Sequence, residues 1–183
     1  LAVLLEGLGK GLRSAREVER LTGLPLLSLV PEIPGRRRQK PHHYLLEKPL
    51  SVYAEAVGAV FVALRASPPR PGGGSVVLVT SSLPEEGKTT LVVQLATALA
   101  AAGRRVAVVD IDPQASLTGW MRIREHEARS VPELRFAMVG GWRLGVELDR
   151  LVREVELVLV DTPPHAESEA KGAIRRADLV LVP

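Results

Sequence analysis

The chain has 183 residues, 24 Lys plus Arg against 21 Asp plus Glu for a formal charge of +3, 46% apolar residues and no cysteine. That apolar share excludes an intrinsically disordered chain, and the length is enough to bury the core of one domain with room for an appendage. Without cysteine there is no disulfide scaffold, no Cys-ligated zinc and no thiol nucleophile.

The opening run Leu1 to Leu8, apolar except for Glu6 and Gly7, is far shorter than the ~20 residues that span a bilayer, and by composition it reads as an amphipathic helix. No initiator Met or small-residue cleavage pattern precedes it, and the chain stops at Pro183 directly after an apolar run. Both ends therefore read as internal to a longer protein. Ser14 and Glu17 have the spacing of a capping box, which predicts a helix through Val18 and Leu21 that stops at Gly23. Residues 24–30 read as a short buried strand. Residues 31–49, with four prolines and the cluster Arg36, Arg37, Arg38 and Lys40, read as a linker. That cluster fits either a solvated connector or contact with anionic headgroups. His42 and His43 have no partner at ligand spacing and are assigned no metal. The first 50 residues hold nine basic against five acidic side chains, and the remaining 133 hold fifteen against sixteen, so the globular part is close to neutral. Six aromatics without RNP-like or zinc-finger spacing point away from a base-stacking nucleic-acid module.

Small and apolar residues over 51–65 predict a helix, and residues 67–74, with three Pro and three Gly, a second linker. From there strands and helices alternate. Strands are expected at 76–80, 106–110, 134–139, 157–161 and 179–182, and helices at 89–102, 117–127, 143–155 and 167–176. Runs such as VVLV, VAVV and LVLV are apolar on both sides of the pleat, the mark of strands covered on both faces. Strand and helix in alternation predict an α/β fold of three layers around a mostly parallel sheet, truncated at its C-terminus. The last strand would leave an uncovered edge, which predicts poor folding or aggregation of the isolated piece.

The chemistry is carried by the turn between the first strand and the next helix. Ser82, Leu83, Pro84, Glu85, Glu86, Gly87, Lys88 and Thr89 occupy the places of G-x-x-x-x-G-K-[ST], followed by Thr90. In such a loop the main-chain NH groups and the positive helix end converge on phosphates. The Lys reaches the β and γ oxygens, and the hydroxyl ligates Mg²⁺. A Gly-Lys-[Ser/Thr] triplet is expected by chance about 0.04 times in this composition. Ser82 stands where the first Gly is usual, and Glu85 and Glu86 bring carboxylates towards the phosphates, which predicts weakened affinity. The second strand ends in Asp110-Ile111-Asp112-Pro113-Gln114, placing two carboxylates at the sheet edge where ligands bind in open α/β folds. Asp112 is expected to orient the acceptor or hold Mg²⁺ through water. Asp161, after an apolar strand, is expected to hold Mg²⁺, and Thr162, Pro163 and Pro164 to form a γ-phosphate sensor turn. His165 beside it reads as structural, and Trp120 and Trp142 as packing or surface anchors.

These residues resemble the ParA/MinD and bacterial tyrosine kinase branch of P-loop NTPases. SAREVERLTGLPLLSLVP, PLSVYAEAV and VVLVTSSLPEEGKTT are similar to the cytoplasmic part of the kinases and polysaccharide co-polymerases. DIDPQASLTGW, GWRLGVELDRL and LVLVDTPPHAESEAKGAIRRADLVLVP are closer to ParA partition ATPases. The first likeness implies a preceding transmembrane helix, making residues 1–8 its exit, residues 1–50 a juxtamembrane segment with a basic linker, and residues 51–183 an incomplete nucleotide-binding domain. The sequence departs from both patterns: Leu83 stands at the ParA/MinD signature Lys, Gly58 and Phe61 replace the arginines of the kinases' E-x-x-R-x-x-R motif while Glu55 remains, and no tyrosine-rich tail is present.

The resemblance implies ATP and Mg²⁺ as cofactors, Lys88, Asp110, Asp112 and Asp161 as catalytic residues, and residues 82 and 84–90 around the phosphates. Thr89, Asp112 and Asp161 would surround the metal. The leading expectation is the ATPase or tyrosine kinase domain of an exopolysaccharide synthesis or export system at the cytoplasmic face of the bacterial inner membrane. The alternatives are a ParA-type positioning ATPase that holds non-specific DNA, and an ATP-binding scaffold with little turnover. Self-association as dimer or ring, governed by nucleotide, goes with the first two.

Overall fold

The computed structural model describes residues 16, 19–20, 23, 26–31, 33, 44, 47–66, 72–81, 84–127, 133–164 and 169–182. In chain order the elements are α1 (Val52–Ala66), β1 (Ser75–Val79), α2 (Lys88–Ala101), β2 (Val106–Asp110), α3 (Ser116–Glu127) and β3 (Arg135–Met138). A 3-10 turn (Gly141–Arg143) then leads into α4 (Leu144–Glu154), β4 (Leu157–Asp161), α5 (Glu169–Ile174) and β5 (Leu179–Leu181). All five strands are parallel, in the order β3-β2-β4-β1-β5.

The uninterrupted apolar strands are explained by the layers they join. Val77, Val79, Val106, Val108, Leu157 and Leu159 face a core completed by α1, α2 and Leu117 and Met121 of α3. The alternate residues Val76, Leu78, Ala107, Val109, Val158 and Val160 face Leu144, Leu148 and Leu151 of α4 and Ala173 of α5. This is the expected three-layer α/β fold, with both faces of the parallel sheet covered. Register then fixes the functional edge. Val79 pairs with Asp161 and Asp110 pairs with Asp161, so the ends of β1, β4 and β2 lie at one level. The amide of Ile111 donates to the carbonyl of Asp161 at 3.0 Å and carries that alignment one residue further.

The expected strand over 24–30 is not formed where the structure describes it. Residues 26–30 lie outside any ladder, while Leu27, Val30 and the buried Ile33 pack against the α1 and α2 core. Their apolar character serves packing onto that core from outside the ladder, a demand that an apolar run in a sequence does not distinguish from a place in the sheet. The helix expected to end at Gly23 is helical at Arg16, Glu19 and Arg20. Gly23 has φ +69°, and its amide donates to Glu19 O at 2.8 Å. Residues 1–15, most of 32–46, and His165 lie outside the described residues. Among the described residues no helix is long and apolar enough to cross a membrane.

The second linker does more than connect. Gly74 donates to Val152 O at 2.7 Å, Ser75 donates to Glu156 O at 2.9 Å, and a Cβ at Gly74 would collide with the carbonyl oxygen of Val155. Neither the strand start nor the α4 end can withdraw without breaking those bonds. Gly74→Ala is therefore expected to destabilise the protein by about 1–3 kcal/mol, a drop in melting temperature of roughly 2–4 °C per kcal/mol that a thermal melt would detect.

Candidate nucleotide site

The loop after β1 delivers its groups by local backbone geometry. Gly87 has φ +86°, a left-handed turn from which α2 starts, and it offers no side chain to cap the helix. The N-cap residue of this 14-residue helix therefore gives its first NH groups no side-chain acceptor, and such a helix start is the arrangement that receives an anion. Pro84 and Glu85 are exposed, Glu86 is half-buried, and Ser82 and Leu83 lie outside the described residues. Glu85 has φ +62°, the conformation that favours glycine. Its exposed carboxylate is a negative charge on a phosphate-binding turn. Replacing it with the residue its backbone favours, Glu85→Gly, should raise nucleotide affinity about threefold. Titration with a fluorescent ATP analogue would measure this, and the gain should shrink at high salt.

Lys88, at the helix start, is buried, and its Nζ donates to Ser81 Oγ at 2.8 Å. The next residue, Thr89, donates from Oγ1 to Asp161 Oδ2 at 2.6 Å, joining the loop to the end of β4. Thr90 is half-buried one residue on. Asp161 is itself 1% exposed, and among the described residues its Oδ1 has no hydrogen-bond partner. Burial pushes its pKa up to about 7. The Thr89 hydrogen bond and the Lys88 charge oppose that rise, while the charges of Asp110 and Asp112 add to it. The four groups Lys88, Asp110, Asp112 and Asp161 therefore share one electrostatic environment.

The two aspartates after β2 have different tasks. Asp110 is fully buried. Its Oδ2 accepts from the Thr118 amide at 2.8 Å and the Thr118 hydroxyl at 2.7 Å, and its Oδ1 accepts from the Asp112 amide at 3.1 Å. These three bonds tie Asp110, which the sequence offers as catalytic, into the turn that carries Asp112. Asp112 Oδ1 accepts from the Gln114 amide at 2.9 Å, and Asp112 O accepts from Ala115, held at φ +54°. Its Oδ2 has no hydrogen bond among the described residues.

Thr162 is fully buried and donates from Oγ1 to Val79 O at 3.0 Å, so its hydroxyl locks the start of the expected sensor turn to β1. Pro163 and Pro164 are half-buried. Ser81 and Thr118 escaped the sequence reading. The only signal for either was a hydroxyl residue flanking the loop on one side and the Asp-x-Asp turn on the other.

Thr89, Asp112 and Asp161 supply a hydroxyl and carboxylates, hard oxygen donors suited to Mg²⁺. The partnerless Asp161 Oδ1 is the atom that such a cation, or a water on it, would satisfy. Among the described residues no three His, Cys, Asp or Glu side chains gather as a metal cage.

Both tyrosines lie in the α1 region. The Tyr53 hydroxyl donates to Gln94 Oε1 at 3.0 Å, burial raises its pKa, and the half-buried Tyr44 ring meets it edge-on at 5.9 Å. Trp120 is half-buried against the core under the Arg124 guanidinium, and Trp142 is 87% exposed.

A parallel sheet whose central strands deliver a Gly-Lys-Thr helix start and two carboxylates to one edge defines a P-loop α/β nucleotide-binding domain. Residues 77–176 match the CobQ/CobB/MinD/ParA nucleotide binding domain family, and the chain belongs to it. It is 38% identical over 112 residues to the maintenance of carboxysome distribution protein A of Gloeobacter kilaueensis, covering 59% of this chain and 48% of that protein. It is 36% identical over 110 residues to Protein ParA of Rhizobium radiobacter, covering 59% and 47%. The chain thus spans about half the length of these curated relatives. Its fold is similar to the kinase domain of the Escherichia coli tyrosine kinase ETK, with a TM-score of 0.68 over 92% of this chain and 80% of that one, at 17% identity.

Proposed function

We propose that the chain binds Mg-ATP at the β1–α2 loop and transfers the γ-phosphoryl group to water, as the ATPase domain of a nucleotide-governed, self-associating protein. The observation that carries this reading is the convergence of Lys88, Thr89, Asp112 and Asp161 on the end of the sheet where β1, β2 and β4 stop at one level. Lys88 neutralises phosphate charge, and the first NH groups of α2 hold the phosphate oxygens. Asp112 Oδ2 orients the attacking water. As the water oxygen bonds to phosphorus, the bond to the bridging oxygen breaks, ADP leaves with that electron pair, and the water proton passes to Asp112 or to a phosphate oxygen. Thr89 and Asp161 would hold Mg²⁺, which supplies charge neutralisation on the transferred group.

Water is favoured over Tyr53 and Tyr44 as acceptor because the Tyr53 hydroxyl is buried on Gln94 and Tyr44 is half-buried beside it. Incubation with γ-labelled ATP tests the reading directly: label is expected as free phosphate, and label on tyrosine would overturn it. The sequence relatives favour a positioning role, in which the ATP-bound form associates with itself and is retained on non-specific DNA. Lack of ATP-dependent retention at low salt would remove that role. A second reading, the nucleotide domain of an exopolysaccharide system at the cytoplasmic face of the inner membrane, is supported by the likeness to the ETK domain, which extends over 92% of the chain where the partition relatives match 59%. Two membrane spans upstream in the gene would favour it.

A further inference from the structure

We propose that Thr118 is a positioning residue for phosphoryl transfer, acting through Asp110 on Asp112; the proposal rests on the hydrolysis reading above. Thr118 is 7% exposed in the first turn of α3, and its amide and hydroxyl are both spent on the fully buried Asp110 at the end of β2, so it acts through that carboxylate rather than on nucleotide. It donates twice, from amide and hydroxyl, to one carboxylate oxygen, and the other oxygen of that carboxylate takes the amide of Asp112. The chain from 110 to 118 is closed into a ring by these bonds, with the Asp112–Gln114 and Asp112–Ala115 bonds as its inner ties.

The consequence is directional. A buried carboxylate needs its donors, and removing one leaves an unsatisfied charge that the turn can relieve only by shifting. The shift falls on Asp112, whose amide hangs from the same carboxylate and whose Oδ2 is the group aimed at the reacting water. Lys88 and Thr89 come from a different loop, so nucleotide binding is retained while the water is misplaced. Misplacement of about 1 Å at a reacting group costs on the order of 100-fold in rate.

The test is steady-state ATP hydrolysis by the whole chain. Thr118→Val, which keeps shape and amide but removes the hydroxyl, is expected to lower kcat by roughly 10- to 100-fold with KM for ATP changed by less than about threefold. Thr118→Ser, which keeps both donors, is expected to return kcat to within about threefold of the parent. An active parent whose Thr118→Val variant matches it in kcat overturns the proposal alone, as does a KM that rises as far as kcat falls, or a Ser variant as impaired as the Val variant. A parent with no turnover overturns the hydrolysis reading and the proposal with it. Should Thr118→Val fail to fold, amide hydrogen exchange of the parent decides: slow exchange at Asp112 is expected, and exchange at the rate of an exposed loop contradicts the brace.

Discussion

Lys88→Ala is expected to lower ATP turnover by at least about 100-fold and to weaken nucleotide binding in the same variant. The ammonium is buried on Ser81 and is the cation that offsets the acidic cluster around Asp161. Its loss removes both the charge that would meet the β and γ phosphate oxygens and the charge that holds Asp161 towards its ionised form. The first loss acts against binding an anion beside carboxylates, and the second against holding Mg²⁺ on an ionised Asp161. Lys88→Arg should not rescue, because a planar guanidinium does not fit a pocket built for a compact ammonium. Phosphate release and a nucleotide titration on the two variants, with a thermal melt to show that each is folded, check the expectation. Turnover of Lys88→Ala within a few-fold of the parent would place the chemistry elsewhere.

Asp161→Asn is expected to gain stability and lose turnover together. In the folded protein burial lifts the Asp161 pKa from 3.8 to about 7. Between those two values the folded chain keeps a proton that the unfolded chain has released. Stability contributed by this group is therefore fully present below pH about 4 and is lost as pH rises through 7. By pH 8 the buried charge costs the nucleotide-free protein on the order of 2–4 kcal/mol. An amide can still accept the Thr89 hydrogen bond and carries no charge, so the variant should melt several degrees above the parent at pH 8 and close to it at pH 4. The same change removes a hard oxygen donor from the magnesium set, and turnover should fall by about 100-fold or more. Melts at the two pH values, run without nucleotide, and phosphate release at pH 8 read the two halves separately. A variant less stable than the parent at pH 8 would mean that the carboxylate is not held at the expense of the fold.

The sheet was legible in the sequence because fully buried parallel strands need apolar residues on both faces, and VVLV, VAVV and LVLV leave no other economical burial. Lys88, Thr89 and Asp161 were legible for a related reason: each sits at a fixed offset from the end of such a strand, so finding the strand locates the group. The 26–30 segment was not, since its apolar side chains satisfy packing onto the core from outside the sheet as well as a place in a ladder. The division of labour between Asp110 and Asp112 was not legible either. Two carboxylates two residues apart look alike until Thr118, eight residues from Asp110, is seen to donate twice to one of them. Glu85 shows the reverse case, a residue held in a left-handed backbone that contradicts its own preference, which its place in the loop before Gly87 imposes.

The proposed hydrolysis requires that the α2 start, Lys88 and the paired strand ends enclose a magnesium triphosphate. Isothermal calorimetry of Mg-ATP into the whole chain tests it most directly. One site per chain is expected, with binding weakened by chelating the magnesium and lost in Lys88→Ala. No heat from the folded parent, or equal heat from the Lys88→Ala variant, would contradict it.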